Sequence, residues 1–239
     1  MTSNIKRFFF LIPLLFFVVP ASSQGLQYGL HIGKSYAHMY GSFVTTAVDD
    51  VTVSLSPGLV SRFTGGGYMR YYVTPSFSIQ PEINFSTRGG RIKENVDIRD
   101  RELRIDGNLM MHYIELPLLF RLGTWIPFPE PPRYEPSGYT YHLLAGVAFS
   151  YNTSARFNGN LRGDVFGADF DERFSGNIRD QFRNTDLNVI VGAGFEYGRV
   201  TRFTVDLRYV LSILDINDNP DSDRELYNGT ISAMFGILF

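Results

Sequence analysis

The sequence predicts an all-β protein, an eight-stranded antiparallel transmembrane up-and-down β-barrel. Three observations lead there. Segments of about ten to fifteen residues alternate apolar and polar side chains at period two. They exceed the roughly five or six residues usual in soluble sheets and meet the roughly nine to eleven that a membrane strand needs. The connections between them are mostly tight on one side and long and polar on the other, as in outer-membrane barrels.

The first strand covers about 25–35, with Leu26, Tyr28, Leu30 and Ile32 on one face and Gln27, Gly29, His31 and Gly33 on the other. The second, about 59–73, ends in Tyr68-Met69-Arg70-Tyr71-Tyr72-Val73. A tight turn at Thr74-Pro75-Ser76 leads to the third, about 77–90. Its alternation is the clearest in the chain: Phe77, Ile79, Pro81, Ile83 and Phe85 against Ser78, Gln80, Glu82, Asn84 and Ser86. The fourth covers about 108–123, with Ile114, Leu116, Leu118, Phe120 and Leu122 on one side. Pro117 removes a ladder donor within it, so a local irregularity is expected there.

The fifth strand covers about 139–154, the sixth about 186–198 and the seventh about 202–216, the last two joined by a short turn at Arg199-Val200-Thr201. The eighth runs from Gly229 to Phe239, with Ile231, Ala233, Phe235, Ile237 and Phe239 on one face. Such a strand must pair or leave an open edge, and closing the barrel removes the edge. A final aromatic suits a membrane interface, apolar on one side and wet on the other. Long polar loops are expected at about 36–58, 91–107, 155–185 and 217–227. Segment 124–138 breaks the rule of short turns on the other side. It is Pro-rich and reads as an extended excursion.

Residues 1–23 read as a secretory signal peptide, and 24–239 as the barrel domain. Lys6 and Arg7 form its basic region, Phe8 to Val19 its apolar core, and Ala21-Ser22-Ser23 its cleavage site. No cysteine follows, which argues against a lipid anchor and against a disulfide framework. The formal charge of −2 becomes −4 once Lys6 and Arg7 are removed, and no basic stripe exists, so nucleic acid is not an expected partner. The 21 Phe and 14 Tyr, against one Trp, favour strands and aromatic girdles.

A soluble barrel would place the apolar face inside. The polar face argues otherwise. It carries Arg70, Glu82, Glu115, Arg121, Glu196, Asp206 and Arg208 in mid-strand, together with glycines such as Gly29, Gly33, Gly192 and Gly194. In a narrow lumen small residues make room for long charged ones, and three cations can pair with four anions. These seven read as a paired structural plug in preference to a conduction path or proton relay.

Phe77 to Gly90, Tyr113 to Arg121, Leu144 to Tyr151, Gly192 to Tyr197 and Val205 to Tyr209 carry a resemblance. The chain resembles the Bacteroidetes outer-membrane β-barrel family labelled PorT-like. Gln80-Pro81-Glu82 and Ile114-Glu115-Leu116-Pro117 are the most specific pieces. The resemblance implies an eight-stranded barrel in a Gram-negative outer membrane and no single activity. The namesake of the family is associated with type IX secretion and gliding.

The chemistry-bearing residues are sparse. His31, His38, His112 and His142 lack metal spacing, with His31 and His142 on the lumen face and His112 on the lipid face. Asp215-Ile216-Asn217-Asp218-Asn219-Pro220 starts like a calcium loop, but Pro220 and Leu226 stand where Gly and Glu belong. No cofactor or metal is expected. Segment 155–185 is the best candidate for a partner: Arg156, Phe157, Phe166, Phe170, Arg173, Phe174 and Arg179 lie in it, interleaved with acids. Its aromatics either cover the barrel mouth, bind a surface partner, or merely extend the strands. Trp125, Phe128 and Tyr134 dock a periplasmic partner or anchor at headgroups. The expectation is a non-enzymatic barrel of structural, adhesive or secretion-accessory role. A membrane-embedded hydrolase or acyltransferase, or a small pore, is the alternative.

Overall fold

A computed structural model describes residues 26–41, 43–46, 52–55, 58–97, 102–124, 138–165, 168–198, 201–218 and 225–239. The expected signal peptide lies outside these residues, as do most of the Pro-rich segment with Trp125, Phe128 and Tyr134, and also Phe166. The strands are β1 (Leu26–Gly41), β2 (Phe43–Thr46), β3 (Thr52–Leu55), β4 (Val60–Tyr72), β5 (Phe77–Arg88) and β6 (Arg91–Asp97). They continue as β7 (Glu102–Gly123), β8 (Tyr139–Val165), β9 (Ala168–Asn177), β10 (Thr185–Gly198), β11 (Arg202–Ser212) and β12 (Leu226–Leu238).

The main sheet has ten strands in the order β6-β7-β5-β4-β1-β12-β11-β10-β8-β9, and β7 also pairs with β8. That extra pairing closes the sheet into a ring running β7, β5, β4, β1, β12, β11, β10, β8 and back to β7. All pairings are antiparallel. β6 and β9 flank the far ends of β7 and β8, and β2 pairs only with β3.

The strand count departs from the expected eight: twelve strands stand among the described residues. The extra ones lie in segments expected as loops. Segment 91–107 holds β6 and the start of β7, and segment 155–185 holds the end of β8 and all of β9. The physical reason is a change of polarity. Arg91-Ile92-Lys93 and Arg156-Phe157-Asn158 still alternate at period two, but with enough charge to read as solvated loop. The expected irregularity at Pro117 is confined to one ladder: Pro117 pairs in register with Ala148 of β8, but the β5–β7 pairing skips from Pro81↔Leu118 to Asn84↔Glu115. The β7–β8 register shift falls between His112 and Tyr113, where Thr153 of β8 is an extra residue and its hydroxyl donates to the carbonyl of His112 at 3.0 Å.

Apolar side chains face outward over the ring. Leu30, Ile32, Leu122, Leu143, Leu207 and Phe235 are each at least half exposed. Tyrosines and phenylalanines fringe this band at both ends. Tyr139 and Tyr197 touch at the end that holds Phe239, with ring centroids 4.9 Å apart. Tyr40 and Tyr209 share a 2.7 Å hydroxyl bond at the distal end. From Tyr28 to Tyr36, β1 spans about 27 Å of strand, the order of an outer-membrane apolar band. Lys34 also faces outward, and its ammonium rests 5.6 Å from the Tyr36 ring at the distal fringe.

Small residues line the interior where large ones cross it. The Tyr68 ring lies over Gly29, in the place a Cβ would take. At Gly194 a Cβ would stand 2.6 Å from Nε2 of His142 and collide with Asp206. Gly194→Val is therefore expected to lower the thermal unfolding midpoint in detergent, at a cost of about 1–3 kcal/mol. Gly176→Ala, where a Cβ meets nothing within 4 Å, should leave the midpoint unchanged.

Candidate functional site

All seven ionised residues read from the polar face lie inside the ring, each at most 5% exposed. They fall at three levels. Nearest the Phe239 end, Glu196 accepts from Arg70 and Arg121, both at 2.6 Å, and Arg202 lies 3.4 Å away. Gln80 Oε1 ties the two first arginines together at 2.9 and 2.7 Å. At the middle level Arg208 forks onto both oxygens of Glu82, at 2.8 and 3.1 Å, and also reaches Asp206 at 2.8 Å. His142 holds the other oxygen of Asp206 at 2.8 Å. Amides of Gln80 and Asn84 donate to Glu82, and His31 meets Asn84 at 2.8 Å.

The third level joins Glu115 to residues the sequence reading left out. Arg88 donates to Glu115 at 2.5 Å, to Asp186 at 3.1 Å and to Asn188 at 2.7 Å, and lies over the Tyr113 ring. Ser86 also donates to Glu115. Arg88, Asp186 and Arg202 complete the balance. Arg70, Arg88, Arg121, Arg202 and Arg208 face Glu82, Glu115, Asp186, Glu196 and Asp206, five against five among the described residues. Parity along β5, β10 and β11 could have found all three, because each shares the register of a residue already picked. Buried ions of one sign without partners would be costly, so a balanced set is what a closed interior demands.

The lumen is not wholly polar. Leu119, Leu144, Ala148 and Ile190 form an apolar patch on one wall. Above the third level an apolar layer closes the distal mouth: Met39, Leu109, Met111, Tyr113, Phe182, Ile216 and Leu226, with Phe157 packed against it. Two interior cavities, one beside Arg70 and Glu196 and one beside Arg88 and Glu115, measure about 20 Å³ each, room for one water apiece.

The second group of expected residues is dispersed over both faces of the distal sheet. Phe157 and Phe174 stack at 5.4 Å on the side that continues the lumen, filling the places above Gly107 and Gly159. Arg156 and Arg173 face the other side and are exposed. Arg179 follows β9, donates to the Tyr151 hydroxyl at 3.2 Å, and leaves the sheet. Phe170 lies in β9, paired with Gly163. His112 points outward, stacked on Phe85. Asp215 accepts from the backbone N–H groups of Asn217 and Leu226 at 3.0 and 2.9 Å, and Asn219 and Pro220 lie outside the described residues.

A closed antiparallel ring, greasy without and charged within, is now in view. A family model described as outer membrane protein beta-barrel domain matches residues 21–218. The chain belongs to that family. It is an outer-membrane protein. Among solved structures, OprG from Pseudomonas aeruginosa is 13% identical over 90% of this chain and 98% of its own, with a TM-score of 0.44. Ail, the attachment invasion locus protein of Yersinia pestis, is 14% identical over 91% and 100%, with a TM-score of 0.37. The outer membrane protease OmpT from Escherichia coli is 10% identical over 93% and 99%, with a TM-score of 0.38. No curated protein matches the chain. Likenesses this distant leave the barrel to be read from its own side chains.

Arg208→Met removes the partner of Glu82 and one partner of Asp206. The expected loss is about 3–5 kcal/mol, seen as a lower unfolding midpoint in detergent. Pairing it with Glu82→Gln should restore part of the loss. Arg162→Ala breaks only the exposed Asp171 pair and should not move the midpoint measurably.

Proposed function

We propose that this barrel crosses the outer membrane with eight strands, seals its own lumen, and holds a four-stranded sheet above the membrane surface as its working part. The role is structural, adhesive or secretion-accessory, and not enzymatic. One observation carries the reading: β7 and β8 reverse polarity along their length. On β7 the outward residues Leu122, Phe120, Leu118, Leu116 and Ile114 are apolar, whereas Asn108, Asp106 and Arg104 beyond them are polar. The inward residues change the other way, from Arg121 and Glu115 to Tyr113, Met111 and Leu109. A strand leaving lipid for water must do this, because the favourable surroundings of each face swap at the interface.

The sealed lumen is supported by the balanced ion network, by interior cavities of about 20 Å³ and by the apolar layer across the mouth. The non-enzymatic reading is supported by the seclusion of His142 and Asp206. They lie 2.8 Å apart, but their side chains are only 3% and 4% exposed, out of reach of a substrate. The narrower PorT-like assignment within the family is supported by Gln80-Pro81-Glu82 and by Ile114-Glu115-Leu116-Pro117. These pieces supply Gln80, Glu82 and Glu115 to the lumen network.

The purified barrel added to a planar lipid bilayer should give a flat current trace. Reproducible unitary steps would show a continuous water path and retire the sealed reading in favour of a pore. Replacing the tips of the β6–β7 and β8–β9 hairpins with short Gly-Ser turns should leave the heat-modifiable folded band on a gel, because the ring pairs below them remain.

A further inference from the structure

We infer that the outward face of the distal sheet binds the phosphorylated sugar headgroups of glycolipid in the leaflet from which the barrel emerges. The inference rests on the orientation proposed above and names the partner of that sheet.

Cross-strand pairing sets the face out in rows. Met110, Arg156 and Asn177 form the lowest row. The next is Arg91, Asn108, Asn158 and Ser175, and above it Lys93, Asp106, Asn160 and Arg173. Arg104, Arg162 and Asp171 follow. Among the described side chains, six cations on this face meet two anions. Asp106 is held by Arg91 at 3.0 and 3.2 Å, and Asp171 by Arg162 at 3.1 Å. Lys93, Arg104, Arg156 and Arg173, all exposed, make the lower rows positive, and the tip row beyond them, where Asp97 pairs with Glu102 and Asp164 with Asp169, is acidic.

A hollow of about 580 Å³ is lined by Arg91, Asp106, Asn108, Asn158, Asn160 and Arg173 of this face, together with Val60, Gly107, Gly159, Phe174 and Ser175. Carboxamides offer both donors and acceptors, which suits the hydroxyls of a sugar ring. Guanidinium groups suit phosphate oxygens through paired N–H donors.

Position selects the occupant. This face is the direct continuation of the lipid-facing wall: Ile114, His112 and Met110 lead straight up into Asn108 and Asp106. At about 3.4 Å per residue the two amide-bearing rows stand roughly 7–14 Å beyond Met110. That is headgroup depth, and the groups found there in an outer leaflet are anionic glycolipid. A soluble partner would reach the tip more readily than this lower, lipid-side hollow.

The test uses the full barrel in detergent, titrated separately with lipopolysaccharide, phosphatidylglycerol and inorganic phosphate, with the unfolding midpoint as readout. Lipopolysaccharide should raise the midpoint of the wild-type barrel, and the other two should do so far less. The exposed triple variant Arg104→Glu, Arg156→Glu, Arg173→Glu should need about ten to a hundred times more lipopolysaccharide for the same rise. Asn158→Ala with Asn160→Ala keeps the charge and should lose the preference for lipopolysaccharide over phosphatidylglycerol. Equal titrations for wild type and triple variant overturn the inference. So does a wild-type response to phosphatidylglycerol or free phosphate that matches the glycolipid. A heat-modifiable band establishes that each variant is folded. Bilayer traces from the same samples report on the sealed lumen separately, so a silent barrel with a charge-insensitive titration sinks only the lipid inference.

Discussion

Backbone amides in hydrocarbon have no water to bond, so a sheet that crosses a membrane cannot keep an edge. The β7–β8 pairing is where this chain meets that condition. Without it the main sheet would be an open ribbon, with β7 and β8 exposing unpaired groups along most of their length. With it the inner face becomes a closed interior, and every other property of the lumen follows. Side chains pointing inward have only each other as partners. Charge there has to balance, and five cations against five anions is the outcome.

The ionic network and the apolar cap divide the interior between them. The network fills the part of the barrel that lies within the greasy outer band, where strands alternate polar-in and apolar-out. The cap fills the part beyond it, where inward residues turn apolar. Phe182, Ile216 and Leu226 come from the segments that link ring strands at the distal end, so the connections themselves complete the seal. The Thr153 bulge accompanies the change. Below it the inward residues of β8 are even-numbered, from Thr140 to Asn152, and above it they are odd-numbered, from Ala155 to Gly159. One extra residue lets β8 keep its pairing with β7 while exchanging which set of side chains it presents.

Much of this was legible in the residues. Period-two alternation located every strand of the ring, because burying one face against lipid and the other against a polar interior imposes that pattern strongly. Mid-strand charges such as Glu82 and Arg208 pointed to the network for the same reason. The distal strands were misread because their alternation carries the opposite polarity: Arg91, Lys93, Asn158 and Arg173 make a water-facing side that resembles a loop. Arg88, Asp186 and Arg202 were missed because they sit near strand ends, where charge usually signals solvent. Which charge meets which was beyond reading, since Arg70 and Glu196 are 126 positions apart and meet only across the closed cylinder.

β1 lies between β4 and β12, and its ladder with β12 joins Gly29 to Leu238 and Gly41 to Leu226. These partners are remote in the polypeptide, so assembly has a fixed order at this seam. A chain delivered from its N-terminal side shows a bare β1 flank until β12 arrives. During that interval the flank can recruit any foreign strand, and the half-made sheet needs a chaperone or an insertion machine to shield it.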